Sequence, residues 1–450
     1  MISSLLAVSL LAQGTYIHCI SDISQEFSFY MDGRFHRQYI GEGGRDARNW
    51  GTLSKLDLSN ANLLVLANGD PHVPYSEAAV AHVRRYVQAG GGLLLMADAG
   101  SPLSRVAKEF GGDFSPVRAE GTAKGLGALA DKPVTLRAGG TLALSSTWVP
   151  LVTDGAGRPL MARRTYGKGN VLLSVRGLFG SNPDASDPIN QDWIKPLLPS
   201  IAKGREVDRS NPPREQWAEL EKRLGPLTLE FHEGTKQFAD AISKEYVEVR
   251  RHLVEITGVE PSPGMITRLL MLPTGGGGFS SGQRIAIGAW WGDYPKNRYP
   301  MIELIGHEAG HSWVLPHPEP VWNEPIATYL GIQVGRRMGM KEADETLRRA
   351  IDRARELDPN MDKVDIGKPG APGQVVWGKT YWIFEQMEAR HGPGAIAKYF
   401  LAKRRLAGSL TGYSLDDCVA VWSVATGADQ FAWFRAHGID VDRSRSRLPR

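Results

Sequence analysis

Residues 300–313 read PMIELIGHEAGHSW, with His307 and His311 four positions apart and Glu308 directly after the first histidine. An α-helix makes one turn in about 3.6 residues, so both imidazoles lie on one helix face, where they can bind the same metal ion. Glu308 is rotated off that face, and its carboxylate can take a proton from a water molecule beside the metal. The stretch therefore predicts a metal-binding helix in which Glu308 is the general base.

The surroundings of this motif favour a buried helix. Pro300 suits the first helical turn. Between it and the first histidine stand four apolar residues: Met301, Ile302, Leu304 and Ile305. The chain has 11 histidines in 450 residues, so such a pair with its glutamate should arise by chance on the order of 0.01 times per chain. The motif is a strong signal for a metal site.

Three residues after the motif compete to be the third protein ligand that a catalytic zinc site requires: His317, Glu319 and Glu324. His317 has the spacing of the H-E-x-x-H-x-x-G-x-x-H motif, but Val314 occupies the position of its turn-forming glycine. Glu319 lies between two prolines, in a stretch expected to be extended and without helical support.

Glu324 stands in a different context, because residues 321–331 read VWNEPIATYLG. Pro325 and the apolar spacing after it predict the first turn of a new helix, with Glu324 at its start. A carboxylate at that position can face back towards the metal.

HEAGH followed by WNEPIATY resembles the gluzincin peptidases, in which a glutamate on the next helix completes the zinc site. The short connection to Glu324 is similar to that of the enhancin-like and mucin-degrading peptidases. The resemblance implies a zinc ion bound by His307, His311 and Glu324. Residues 274–282 read TGGGGFSSG in place of the G-x-M-E-N signature of the related aminopeptidases. An endopeptidase is therefore favoured, and a zinc aminopeptidase is an alternative.

The resemblance also extends to the rest of the C-terminal half. Tyr381 stands where gluzincins often carry a tyrosine that hydrogen-bonds the tetrahedral intermediate, which implies a role in oxyanion stabilisation. Residues 330–340, 381–387 and 395–404 predict helices of a mostly helical lower lobe. Strands at 266–271 and 284–287 belong to an upper lobe, whose edge strand can pair with an extended substrate.

The N-terminal half has the pattern of an α/β domain with a parallel sheet. Apolar runs at 63–66 and 93–96 predict strands, and residues 76–88 between them predict a helix. Residues 75–100 and 166–174 resemble class I glutamine-amidotransferase-like domains. In active members a cysteine follows the strand, whereas residues 97–100 here read ADAG. We therefore expect a scaffold for substrate positioning or protein contact, without its own chemistry.

The domain plan has three parts. Residues 1–14 form a candidate signal peptide, with a buried first element as the alternative reading of the apolar run at 2–12. An amidotransferase-like domain at 15–204 and a zinc peptidase domain at 205–450 follow, joined near a polar stretch with a proline pair at 203–214. The protein is expected to be secreted or periplasmic, and otherwise cytoplasmic.

Composition supports a globular enzyme, with 42% hydrophobic and 23% charged residues. The net charge of +4 comes from basic residues that are scattered along most of the chain, so no nucleic acid partner is expected. The N-terminal apolar run is too short to span a bilayer, and no other segment is apolar enough to do so. The motif thus predicts a zinc peptidase, and the resemblance implies an endopeptidase for polypeptide or glycoprotein substrates, including mucin-type ones. A non-catalytic recognition module that keeps the peptidase fold is the second class.

Overall fold

The computed structural model describes residues 15–22, 35–67, 69–71, 73–179 and 189–448, with the backbone alone described at 36 and 37. The candidate signal peptide at 1–14 lies outside these residues. The chain divides into two compact units, the first comprising Met1–Leu220, Phe231–Thr235 and Leu272–Gly277. The predicted boundary at 205 lies inside this first unit, where the Asn60 side chain donates a 3.0 Å hydrogen bond to the carbonyl of Asp208.

The first unit is built on a sheet whose strand order is β2-β1-β3-β4-β10-β9-β8-β6, with β5 and β7 as a separate antiparallel pair. Its elements are β1 (Ile17–Asp22), β2 (Gly44–Asn49), β3 (Leu63–Ala67), α1 (Glu77–Gln88), β4 (Gly92–Ala97), α2 (Ser104–Glu109), β5 (Gly112–Ser115), β6 (Lys124–Gly125), β7 (Thr141–Leu144), β8 (Val149–Thr153), β9 (Pro159–Tyr166), β10 (Gly169–Val175) and α3 (Gln191–Ala202).

The prediction of an N-terminal α/β domain with parallel strands is confirmed. Strands β1, β2, β3, β4 and β10 run parallel. Every residue of β3 and β4 is buried, as expected for central strands of a parallel sheet. Ser76 caps the intervening helix α1 by accepting a hydrogen bond from the Ala79 backbone N–H at 3.1 Å.

The sheet is mixed, however, whereas the sequence predicts a parallel sheet. Strand β9 pairs antiparallel with β10, and β8 and β6 continue the antiparallel edge. The connection between β9 and β10 is a tight turn at Gly167, whose φ of +61° suits glycine. So short a turn can only return the chain antiparallel, because parallel neighbours need a long crossover.

The second unit combines a sheet of strand order β11-β12-β13-β15-β14 with a helical C-terminal region. Its elements are β11 (Leu220–Leu224), β12 (Leu227–Phe231), α4 (Lys236–Thr257), β13 (Arg268–Leu272), β14 (Gly278–Ser280), β15 (Arg284–Gly288), α5 (Tyr299–Trp313), α6 (Asn323–Arg337), α7 (Lys341–Leu357), α8 (Gly373–His391), α9 (Ala395–Ala407), α10 (Leu415–Thr426) and α11 (Phe431–Ala436). The helical character predicted for this half is confirmed.

Helix α5 carries the histidine motif and lies deep in the second unit. Met301, Ile302 and Ile305 are fully buried, and Trp313 at the end of the helix is as well. Burial of this apolar face holds the helix in place more strongly than helix propensity alone could. No helix in the described part of the chain is both long and apolar enough to cross a bilayer.

Candidate metal centre

Three side chains from α5 and α6 converge at one point. The Nε2 atoms of His307 and His311 are 3.2 Å apart. The Oε2 atom of Glu324, in the first turn of α6, is 3.4 Å from the first of these nitrogens and 3.6 Å from the second. Within the described ranges, this is the one group of three histidine, cysteine or acidic side chains that converges in this way.

The triangle of donor atoms fits a tetrahedral zinc ion. Zinc binds imidazole nitrogen and carboxylate oxygen at about 2.0–2.2 Å, which places neighbouring ligand atoms about 3.3–3.6 Å apart. Two of the three separations, 3.4 and 3.6 Å, lie in this range, and the third, 3.2 Å, is just below it. Two histidines and one glutamate are also the donor set of several catalytic zinc sites, which keep a fourth position open.

The Nδ1 atoms of both histidines also have partners on α6. Nδ1 of His307 forms a 2.7 Å hydrogen bond with the hydroxyl oxygen of Thr328. Nδ1 of His311 is 3.3 Å from the side-chain amide of Asn323. Partners of this kind hold the ring orientation of a metal-binding histidine.

Small residues allow α5 and α6 to approach closely beside the three side chains. A Cβ added to Gly306 would be 2.6 Å from the Cα atom of Gly331, and one added to Gly310 would be 3.2 Å from the Cα atom of Ala327. Larger residues at these positions would force the helices apart. The backbone contact thus sets the distance from Glu324 to the histidines.

Glu308 lies beside this triangle and is 5% exposed. Burial raises the pKa of its carboxyl to about 7, although the nearby His307 charge opposes the shift. A Cβ added to Gly278 of β14 would be 3.1 Å from Oε1 of Glu308, so this strand passes directly by the carboxylate. A carboxyl with a pKa near neutrality is suited to act as a general base.

The charges of the three converging groups depend on one another. Burial lowers the pKa of His307, but its contact with Glu324 and the nearby Glu308 outweigh burial and raise it overall. The His307 contact holds the pKa of the Glu324 carboxyl below its usual range. Burial and the charge of His307 lower the pKa of His311. At neutral pH, Glu324 is therefore an anion and His311 is neutral, which are the forms that bind a metal.

The other two residues considered as third ligand lie elsewhere. The ring of His317 donates from Nε2 to the carbonyl of Ala407 at 3.0 Å. The carboxylate of Glu319 is buried and forms a 2.5 Å ion pair with Lys403. Among these three residues, the structure brings only Glu324 to the histidines.

Tyr381 is connected to His307 through Thr328. Its side chain is 2% exposed and hydrogen-bonds Thr328, the partner of His307 Nδ1. Burial and the nearby Glu303 raise the pKa of its phenol. In this conformation Tyr381 supports the histidine through Thr328, and its role at an oxyanion stays a prediction.

Sequence reasoning missed Asn323, Thr328, Gly278 and the contact between Gly306 and Gly331. The pair Gly306 and Gly310, four residues apart on α5, is a signal for close helix contact that the sequence does contain. Asn323 and Thr328 flank the proposed third ligand at positions that face α5. The roles of such partners depend on tertiary contacts, and no local sequence pattern predicts them.

Neither a protein-family model nor a curated protein matches this chain. Among solved structures, it is similar to an M1 zinc metallopeptidase from Deinococcus radiodurans, with 13% identity, a TM-score of 0.35, and coverage of 51% of this chain and 53% of that one. It is also similar to a thua-like protein from Parabacteroides merdae, with 17% identity, a TM-score of 0.32, and coverage of 44% and 94%. Likeness at this level carries no argument, so function is argued from the site itself.

Proposed function

We propose that this chain is a zinc-dependent endopeptidase of the gluzincin type, with its peptidase domain at residues 205–450. The observation that supports this most directly is the convergence of His307, His311 and Glu324, whose donor atoms are separated by distances that suit a zinc ion. A buried carboxyl, Glu308, accompanies the triangle. A purely structural zinc site would be closed by a fourth protein ligand and would need no such base.

In the proposed reaction, His307, His311 and Glu324 hold the zinc ion. When bound, zinc supplies a Lewis acid that polarises the scissile carbonyl. Glu308 accepts the proton of the attacking water and passes it to the leaving amine. Thr328 and Asn323 keep the two imidazoles in their binding orientation, so that the protein needs little reorganisation when substrate arrives.

A polypeptide substrate is supported by the strand beside Glu308. In the described sheet β14 is one of the two edge strands, and it pairs with β15 on one side. An extended peptide can add to such an edge through main-chain hydrogen bonds. Because Gly278 begins β14 next to Glu308, a peptide bound there would pass close to the proposed base. Glycoproteins, including mucin-type ones, are the proposed natural targets.

Two further parts of the proposal concern other regions. Tyr381 is proposed to aid the reaction, either at the oxyanion after a rotamer change or through Thr328 and His307. Residues 15–204 are proposed to be an amidotransferase-like domain without a catalytic cysteine. Export of the protein stays a prediction, since residues 1–14 lie outside the described part of the chain.

Metal removal and restoration test this function. We expect one zinc ion per chain, loss of protein cleavage after dialysis against a chelator, and recovery on adding zinc. New termini inside glycosylated and bare test proteins would identify an endopeptidase, whereas single residues released from N-termini would identify an aminopeptidase. A zinc-loaded protein that cleaves neither kind of substrate would support the recognition module instead.

A further inference from the structure

The connection between α5 and α6 is held by a buried carboxylate, Glu319, which is 3% exposed. Lys403 donates to its Oε1 atom at 2.5 Å, and the Tyr399 hydroxyl donates to the same atom at 2.9 Å. The indole N–H of Trp322 donates to Oε2 at 3.2 Å. A buried charge with this many donors is satisfied by a preorganised set of partners, so the connection has one preferred conformation.

Lys403 also binds the backbone of the connection. Its Nζ atom donates to the carbonyl of Val314, the C-cap residue of α5, at 2.6 Å, and to the carbonyl of His317 at 2.8 Å. Tyr399 and Lys403 lie one turn apart on α9, so both reach the connection from the same helix face. Helix α9 therefore supports the connection along most of its length.

This network reaches the metal centre through Asn323. The backbone N–H of Glu319 donates to Oδ1 of Asn323 at 3.3 Å, and the other end of that amide lies 3.3 Å from Nδ1 of His311. Asn323 is also the first residue of α6, directly before Glu324. The ring position of His311 and the start of α6, the helix that carries Glu324, thus both depend on the connection between α5 and α6.

We infer that Glu319 and Lys403 are positioning residues of the metal centre, which set the place of Glu324 and the ring of His311 before zinc binds. This inference rests on the proposed function for the identity of the metal, but not on hydrolysis. A buried ion pair is a poor source of net stability, since desolvation offsets most of its attraction. Its value here is that it selects one geometry of the ligands.

The chain offers a matched control for this inference. Lys379 and Asp358 form a second ion pair at 3.0 Å with both side chains fully buried, and Lys379 also donates to a backbone carbonyl, that of Val364, at 2.6 Å. This pair fixes the position of the chain after α7, and within the described residues neither of its side chains belongs to the group formed by the three converging side chains. Its loss should affect stability in the same way as the loss of the Lys403 pair, without affecting the ligands.

The experiment compares Lys403→Met with Lys379→Met. Thermal unfolding of the zinc-free proteins measures stability, and competition with a chelator measures zinc affinity. We expect both variants to unfold at lower temperature than the unsubstituted protein. Zinc affinity should fall by about 10- to 100-fold in Lys403→Met, the range for partners that orient metal ligands, and stay within about twofold in Lys379→Met.

Equal zinc affinity in Lys403→Met and the unsubstituted protein would overturn the inference, and so would an equal loss in both variants. If Lys403→Met does not fold, Glu319→Gln paired with Asp358→Asn decides the matter by the same readouts, because each keeps the side-chain size. Unsubstituted protein that binds zinc but cleaves nothing would reject the proposed hydrolysis while leaving this inference standing. Failure of the unsubstituted protein to bind zinc would overturn both.

Discussion

Each unit of the molecule has a place where chemistry could be expected, and the two places differ in what converges there. In the first unit, Asp98 follows β4 and pairs with Arg176, which follows β10, at 3.2 Å. Both line a cavity of about 640 Å³ at the carboxyl ends of parallel strands, where α/β folds usually bind ligands. In the second unit, two helices bring together two histidines and a glutamate, with a second, buried glutamate beside them. The first place thus offers a cavity lined by an ion pair, whereas the second offers converging donor atoms that could hold a metal ion.

The largest expected effect is on the proposed base. Glu308→Gln removes proton transfer but leaves all three proposed ligands, so zinc content should stay near one per chain. The rate of protein cleavage should fall by about 10²- to 10⁴-fold. Steady-state cleavage assays and metal analysis of the same preparation measure both quantities. Near-normal turnover would show that Glu308 is not the general base.

The second effect concerns the ligands. Glu324→Ala removes one of three protein ligands and should weaken zinc binding by far more than the roughly 10- to 100-fold typical of supporting residues. His317→Ala is the control, because that ring bonds the Ala407 carbonyl and not the metal centre. Zinc titration of both variants compares them, and the opposite result would assign the third ligand to His317.

A smaller effect is expected from the contact between the two helices. Gly306→Ala places a methyl group 2.6 Å from the Cα atom of Gly331, so α5 and α6 must separate. Overpacking of this kind costs about 1–3 kcal/mol of unfolding free energy, and zinc affinity should fall with it. Gly373→Ala serves as the control, since a Cβ at that position meets nothing within 4 Å. Urea unfolding would reveal the difference.

Glu308, which is buried, and Asp98, which is partly exposed, should also differ in their effect on the pH dependence of cleavage. Burial raises the pKa of Glu308 to about 7 and also raises that of Asp98. A general base works only when deprotonated, so the rate should decline about tenfold per pH unit below the pKa of Glu308. The positive charge of bound zinc lowers this pKa, so the decline should begin below pH 7. A pH profile unchanged in Glu308→Gln would contradict the assignment.

The smallest effect is expected at the strand end of the first unit. The substitution Asp98→Asn removes the charge that faces Arg176 but leaves all the proposed zinc ligands unchanged. Cleavage of a bare protein substrate should therefore stay within about twofold of the unsubstituted rate, as for most substitutions outside a site. A loss comparable with that of Glu308→Gln would mean that the first unit takes part in the chemistry.

Much of this architecture was accessible from local patterns. Apolar runs predicted β3 and β4, and the helical segment between them matches α1, which Ser76 caps. The helices of the C-terminal half were predicted from periodicity in the same way. The antiparallel edge of the first sheet was missed, because a tight turn at Gly167 decides strand direction and apolar runs do not record it.

For the candidate site, the sequence by itself determined the pair His307 and His311 with Glu308 between them, since helix geometry relates residues four apart whatever surrounds them. It left three residues in competition for the third position. Tertiary structure decided among them: Lys403, distant in sequence, draws Glu319 into a buried pair, while the glycine contact between α5 and α6 brings Glu324 to the histidines. Such choices depend on which helices pack together, and spacing along one segment carries no information about that.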